Sequence, residues 1–507
     1  MDDHNVPRAR TGVVLTAVVL ANSAVLLGTT ILNVALPHMT VALDLSNTAQ
    51  QWVLNSYTLT FAGFLLIAGA FGDRFGLRRT LLVGLAGFIV TTTLASLPLS
   101  VWFIIAMRAL MGVFAAAIMP TTLAIITRTF LGPRRGRAIA VWAALSGAAI
   151  SAGPLLGGLL LSAGLWWGSL LVLVAAIALV AFVLSCVGVR LGPSIRMAGR
   201  MRFVPVVVSV AGIVLLIWGV LNGGERGEWL AWSTLSPLIA GTLVLAILVI
   251  VEAHAVHPVA DVRLFRHAQF SVSVVALGLG SFVIFGYLYV ATFYLQVERG
   301  FTPFQTGLAF MPQSVAMLLG SPLSHRLSLR VGSRATMIIG LAVSTGGLAG
   351  LALITMSTPL IWFLADMFVV AFGFALVLTT GTTAAMSAVP EDRSGAGSAL
   401  LNTIRQLASA LGVATLGSIL WSQYRSGISP ELTGLAEEER VAAAESLGAT
   451  LQTVAGDEHL VSAAQSAFDS AMTLTAIVAA ALSLLATLIA LVSRGRLNDP
   501  NRPEIQR

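Results

Sequence analysis

Three ionisable side chains stand inside long apolar runs of this 507-residue chain: Arg108 in R-A-L-M-G-V-F, Asp366 in F-L-A-D-M-F and Arg405 in N-T-I-R-Q. A charge at the centre of a bilayer costs roughly 2.5–3.5 kcal/mol on insertion scales, so each should face other helices or a wet cavity rather than lipid. Groups of this kind can bind and release a proton or hold a polar ligand. Plainer roles stand beside those: Arg108 snorkelling to an interface about two turns away, and Arg405 held by backbone carbonyls near Asn402 and Gln406. Tyr57, Tyr287, Tyr289 and Tyr294 can stack on a planar ligand or belong to an interfacial aromatic belt, and Asn33 adds a polar group to the first run. Glu298 and Asp469 fall at the ends of runs and read as solvated edge charges. The chain has no phosphate-binding G-x-x-x-x-G-K, and its single cysteine, Cys186, gives neither a disulfide nor a thiolate site. No cofactor, metal or enzymatic activity is expected.

The elements that must position these groups are membrane helices. Hydrophobic residues make up 57% of the chain, charged ones 10%, and mean hydropathy is +0.91, whereas soluble domains carry roughly 25% charge. Apolar runs long enough to cross ~30 Å of hydrocarbon fall at Gly12–Leu36, Gln51–Phe71, Thr80–Leu97, Val101–Thr127, Ala138–Ser162, Gly168–Val189, Phe203–Leu221, Thr234–Val251, Ser271–Gln296, Gln305–Leu323, Thr336–Met356, Leu360–Ala388, Gly395–Trp421 and Ser470–Val492. That makes fourteen, an even number, so both termini share one side. The first run is too long for a signal-peptide core and reads as a retained span. A long outer segment, 422–469, rich in helix formers, should form a short helical excursion.

The net charge of +7 comes from arginine alone, scattered through short loops, which argues against nucleic acid. With the N-terminus in the cytoplasm, 23 arginines lie inside and only Arg226, Arg299, Arg425 and Arg440 outside, as the positive-inside rule requires.

Two motifs say more. Gly69–Arg79 reads G-A-F-G-D-R-F-G-L-R-R between the second and third runs. Gly72 and Gly76 allow a sharp turn, Asp73 and Arg74 can cap helix ends or pair across it, and Arg78 and Arg79 hold it in the cytoplasm. Gly147–Gly158 in the fifth run reads G-A-A-I-S-A-G-P-L-L-G-G. It places Ala143, Gly147 and Ser151, and separately Gly153 and Gly157, on helix faces that admit close packing, with Pro154 permitting a bend.

The first motif resembles the loop signature of the major facilitator superfamily, and G-P-x-x-G-G in the fifth run resembles the antiporter motif of its exporters. Gly320–Arg334 echoes the loop weakly, with His325 where the first copy has Asp73. Over nearly the whole chain, including Trp52–Tyr57, Arg299–Leu308 and Gly412–Gly417, the sequence resembles the fourteen-span drug:proton antiporter branch. That resemblance implies an all-α membrane protein of 14 transmembrane helices. Two six-helix pseudo-symmetric halves, 1–190 and 253–507, would flank a linker, 191–252, that inserts two helices. It implies secondary active export of amphiphilic small molecules by alternating access with proton antiport, from a monomer in a bacterial cytoplasmic membrane with both termini cytoplasmic.

The alternatives are export of one endogenous metabolite or lipid, or a non-transporting sensor on the same fold. Gating would fall to Gly69, Asp73, Arg74, Gly76, Arg78, Gly147, Gly153, Pro154 and Gly157. The substrate cavity would draw on Asn33, Tyr57, Arg108, Tyr287, Tyr294, Asp366 and Arg405. Two departures stand out: Gly28 occupies the position where the branch commonly has a first-span aspartate, and L-W-W-G-S-L-L follows the fifth run without the usual arginine and Asn-Pro. With the first-span acid gone, proton coupling is expected to fall to Asp366 paired with Arg108, at similar depth on opposite halves.

Overall fold

In hydrocarbon the backbone must satisfy its own hydrogen bonds, so an apolar run of some twenty residues can cross only as a helix or as part of a closed barrel. The computed structural model is helical at every one of the fourteen runs. It describes residues 8–43, 45, 47–189, 203–226, 229–255, 262–434, 440, 450 and 457–492. The helices are α1 (Arg8–Thr30), α2 (Leu32–Leu43), α3 (Asn47–Phe75), α4 (Leu77–Ala95), α5 (Val101–Thr129), α6 (Pro133–Ser162), α7 (Ser169–Gly188), α8 (Phe203–Arg226) and α9 (Trp232–His254). They continue with α10 (Ala268–Phe293), α11 (Pro303–Ala309), α12 (Met311–Val331), α13 (Ser333–Leu351), α14 (Leu360–Ser387), α15 (Ser394–Ile428) and α16 (Glu458–Val492). Among the described residues, eleven helices are long and apolar enough to cross a membrane, or twelve with the bent α6.

The first run is not one helix. It breaks at Ile31, and α2 restarts at Leu32. The last two runs have longer helices than expected, since α15 continues past Trp421 to Ile428 and α16 begins at Glu458. Much of the expected outer excursion, 435–439, 441–449 and 451–456, lies outside the described residues, as does the arginine-rich break 190–202.

Helices α1 and α3–α7 pack on one another, and α10 and α12–α16 form a second bundle. The bundles meet where α3 and α5 touch α15, and where α6 touches α11, α12 and α14. The hairpin of α8 and α9 lies outside both, with α8 against α3 and α15. The end of the molecule that carries the α3–α4 turn is called here the motif end.

Candidate functional site

At the motif end α3 stops at Phe75, and Gly76 (φ 96°) turns the chain into α4 through a left-handed conformation that an L side chain would strain. That turn leaves Asp73 facing away from its own bundle. Its Oδ1 accepts from the backbone N–H of Gly395 (2.9 Å) and its Oδ2 from that of Ala396 (2.8 Å), both in the first turn of α15. A carboxylate there satisfies orphan donors and the positive end of the helix dipole together. Arg128, at the end of α5, reaches Asp73 Oδ1 at 2.8 Å and donates through Nε to Ser394 Oγ at 2.8 Å. The ion-pair partner of Asp73 is therefore Arg128 rather than the adjacent Arg74, whose guanidinium lies 5.7 Å from the Phe75 ring centre. Arg78 donates to the Cys186 carbonyl in α7 (3.0 Å) and so stays within its own bundle. Gly69 faces Ala399 and the Gly395 carbonyl so closely that a Cβ would overlap both. A second seam lies alongside: Gly136 in α6 faces the ring of His325 in α12, and Arg135 approaches Glu391 at 3.7 Å.

In α6 the segments Pro133–Ile150 and Ala152–Ser162 meet at 42°. Pro154 has no N–H to give the Ile150 carbonyl four residues back. Thr30, at the end of α1, donates its hydroxyl to that carbonyl instead (3.2 Å). The small residues of the motif divide between neighbours. Gly153 lies against Thr30, Gly157 against Leu170 and the Ile31 carbonyl, and Gly147 against Met317 in the other bundle. At the far end Gly158 meets Phe304, and Gly307 packs on the backbone of Leu155, closing the α6–α11 contact.

Between the bundles lies a narrow cavity lined from α1, α5, α6, α10, α12, α14 and α15. Its wall is mostly apolar, with Trp142, Ser146, Gln313, Arg405 and Gln406 supplying polar groups and Arg405 the only charge. Arg405 donates to Asn402 Oδ1 (3.2 Å), while its Nε finds no hydrogen-bond partner among the described residues. Asn22 holds Ser146 Oγ at 2.6 Å, and Trp142 Nε1 donates to Thr122, so this part of the wall is fixed.

The other candidates lie within their own bundles. Arg108, 1% exposed, donates to the carbonyls of Gly28 (3.0 Å) and Val53 (3.1 Å) and sits 4.5 Å from the Tyr57 ring centre. The Tyr57 hydroxyl in turn donates to the Val25 carbonyl. Asp366, 9% exposed, accepts from the Tyr287 hydroxyl (3.0 Å) and lies against Gly350 of α13. The expected ion pair between Arg108 and Asp366 is not formed. Two backbone carbonyls and an aromatic face satisfy the arginine, and a phenol satisfies the aspartate. Tyr294 stacks near Phe363 (4.5 Å between ring centres) and accepts from Arg299. The side chain of Asn33 lies outside the described residues.

Residues 18–413 match the sequence profile of the Major Facilitator Superfamily. The chain belongs to the major facilitator superfamily. Among relatives in that superfamily, it is 31% identical over 489 residues to "Multidrug efflux pump LfrA" of Mycolicibacterium smegmatis, covering 95% of each chain. It is 30% identical over 524 residues to the "Tetracenomycin C resistance and export protein" of Streptomyces glaucescens, covering 98% of this chain and 94% of the relative. Among solved structures, the human organic anion transporter MFSD10 (TETRAN) superposes with a TM-score of 0.63 at 16% identity, over 96% of this chain and all of the other. A bacterial homologue of the lysosomal transporter Spinster gives 0.57 at 19%, over 96% and 98%. These two likenesses show a shared fold.

Several residues that build this superfamily member's site gave no signal in the sequence. Arg128, Ser394 and Ala396 complete the Asp73 latch, Thr30 completes the α6 bend, and Trp142, Ser146 and Gln313 line the cavity. Arg128 sits in a basic loop like any other, and only G-D-R-F-G hinted that some helix end waited for a carboxylate. Glu298, read as an edge charge, is buried.

Proposed function

We propose that this protein is a secondary active exporter of amphiphilic small molecules that works by proton antiport and alternating access. The reading places it as a monomer in a bacterial cytoplasmic membrane, with the motif end and both termini cytoplasmic. It takes α1 with α2 as one span and α3–α10 and α12–α16 as thirteen more. Residues 1–190 and 253–507 then form two pseudo-symmetric halves, and 191–252 is a linker carrying α8 and α9. The observation that carries it is the narrow, mostly apolar cavity between two bundles that are latched by Asp73 at one end and by the α6–α11 contact at the other. The latch gives alternating access something to break: Asp73, Arg128 and the α15 N-terminus part when the motif end opens. Relatives named for drug efflux and antibiotic export support the direction of transport.

In this reading Arg405 is the polar anchor for substrate, because it is the one charged side chain in the cavity lining and its Nε has no hydrogen-bond partner among the described residues. Asp366 carries the proton, with Tyr287 as the group that releases it when the bundle rearranges. Arg108 is a fixed charge that holds α1, α3 and α5 together. A susceptibility panel in cells expressing the protein, run with and without a protonophore, tests the function. Raised tolerance to several amphiphilic drugs that the protonophore abolishes is the expected result. Unchanged tolerance to every compound, with the protein present in the membrane, refutes it.

A further inference from the structure

The last turn of the α10 span is wound as a π-helix, Tyr294–Glu298. Such turns are rare and tend to sit at functional sites, because they rotate the residues that follow them. Here the rotation brings Glu298 inward: it is 6% exposed, and neither carboxylate oxygen has a hydrogen-bond donor among the described residues. Its charged neighbours are Asp469 of α16, within hydrogen-bonding reach, and Arg299. Arg299 does not neutralise it by hydrogen bonding. That guanidinium donates to the Tyr294 hydroxyl and to the carbonyls of Thr355 (3.4 Å) and Thr358 (2.5 Å). Asp469 accepts from the Met356 backbone N–H through both oxygens, at 3.1 and 3.2 Å, and so offers Glu298 only lone pairs. Two ionised carboxylates present nothing but acceptors to each other. Held close together they repel, and although Asp469 is only half-buried, the unsatisfied charge of buried Glu298 is costly. The contact closes when one proton lies between them, taking the pair from −2 to −1.

We propose that Glu298 and Asp469 form a proton-binding site at the far end of the molecule, holding one shared proton between α10 and α16. Resting on the export reading for its role, this site is the port through which the outer solution loads the transporter. From it a line of polar and aromatic groups runs along α10 and α14: Arg299, Tyr294 against Phe363, and then Asp366, one turn along α14 from Phe363, with Tyr287 about two turns back along α10. The pair joins the end of α10 to α16 and to the α13–α14 turn at Met356, so gain or loss of the proton acts on the packing of three elements at once.

Infrared spectroscopy of the purified full-length protein in lipid tests the site without any transport. A protonated-carboxyl band present at pH 7 should vanish in Glu298→Gln, whose amide offers Asp469 a donor from the α10 side, and also in Asp469→Asn. Asp366→Asn should leave that band in place. A band unchanged in both Glu298→Gln and Asp469→Asn overturns the proposal. In proteoliposomes, export by the wild type should rise as the far-end compartment is acidified, and Glu298→Gln should flatten that profile by about tenfold while melting as the wild type does. A pH profile in Glu298→Gln that matches the wild type overturns the port. If the band is lost as expected but the wild type moves no protons with substrate, the proton site stands and the antiport reading falls.

Discussion

Asp73 places both carboxylate oxygens on the first turn of a helix whose donor Gly395 lies 322 positions later in the chain, and the same carboxylate holds Arg128. An amide in its place keeps one acceptor but turns an NH2 group toward another donor. Charge-assisted bonds of this kind are worth about 1.5–3 kcal/mol, and an orphaned donor about 1–3. Asp73→Asn should therefore favour the opened motif end by roughly tenfold or more, since 1.4 kcal/mol is a factor of ten. Vesicle efflux should drop by at least that factor, while detergent-extracted protein keeps its elution profile. Wild-type efflux from the variant would show that the latch does not govern the cycle. Asp73, Arg108, Asp366 and Arg405 were all legible, because a charge in an apolar run or between two glycines has few innocent reasons to be there. Their partners were not. The donors to Asp73 are plain backbone N–H groups, and those of Gly395 and Ala396 look like any others until α15 is placed.

At the scale of the element, α6 shows how a proline is accommodated by another helix. The carbonyl released at Ile150 is taken by the Thr30 hydroxyl, and Gly153 leaves room for that side chain to approach. Thr30→Val keeps the shape and removes the donor, so the carbonyl is left bare at a cost of about 1–3 kcal/mol. The variant should melt several degrees lower, and Thr30→Ser should restore most of the loss. A melting curve for Thr30→Val that overlays the wild type would mean lipid or water already serves that carbonyl. Apolar runs located the helices because hydrocarbon demands twenty residues without charge. The same demand is blind to a break at Ile31, to a five-residue π-turn after Phe293, and to helix that continues past the apolar run in α15 and α16. None of those changes the hydropathy of the run, so only the three-dimensional packing reveals them.

For the whole molecule the charge ledger matters most. Arg405 lines the cavity and Arg108 lies buried in the first bundle, against Asp366 in the second. In a medium of low dielectric this surplus reaches across the cavity. Permanent cations should therefore be exported at least several-fold less well than neutral or anionic amphiphiles of the same size. Dye efflux with matched quaternary ammonium and carboxylate compounds measures the difference. Gly28→Asp, placed beside the Arg108 guanidinium, should narrow it, because the added Cβ overlaps only the flexible end of Met111, at 2.7 Å, and meets Phe88 and Tyr57 at ordinary contact, 3.6 Å. Equal, saturable export of both charge types would dismiss the argument. The sequence foretold that positive surplus from three residues, but it gave no means of knowing that only Arg405 would reach the cavity wall.

The α8–α9 hairpin has a further effect on how a greasy cargo arrives. Helix α8 lies over the groove between α3 and α15, with Val210 and Val214 against Gly63, and Trp229 just after it donates to Ser418 Oγ at 2.6 Å. That flank of the molecule is roofed. The flank where α6 meets α12 has no hairpin over it among the described helices, only the short α11 packed against both. A compound sliding sideways toward the central chamber would have to displace the hairpin as well as part the bundles on one side, but only part α6 from α12 on the other, where Gly147 meets Met317 and Gly136 meets His325, so a lateral opening is expected at that second seam when the bundles separate.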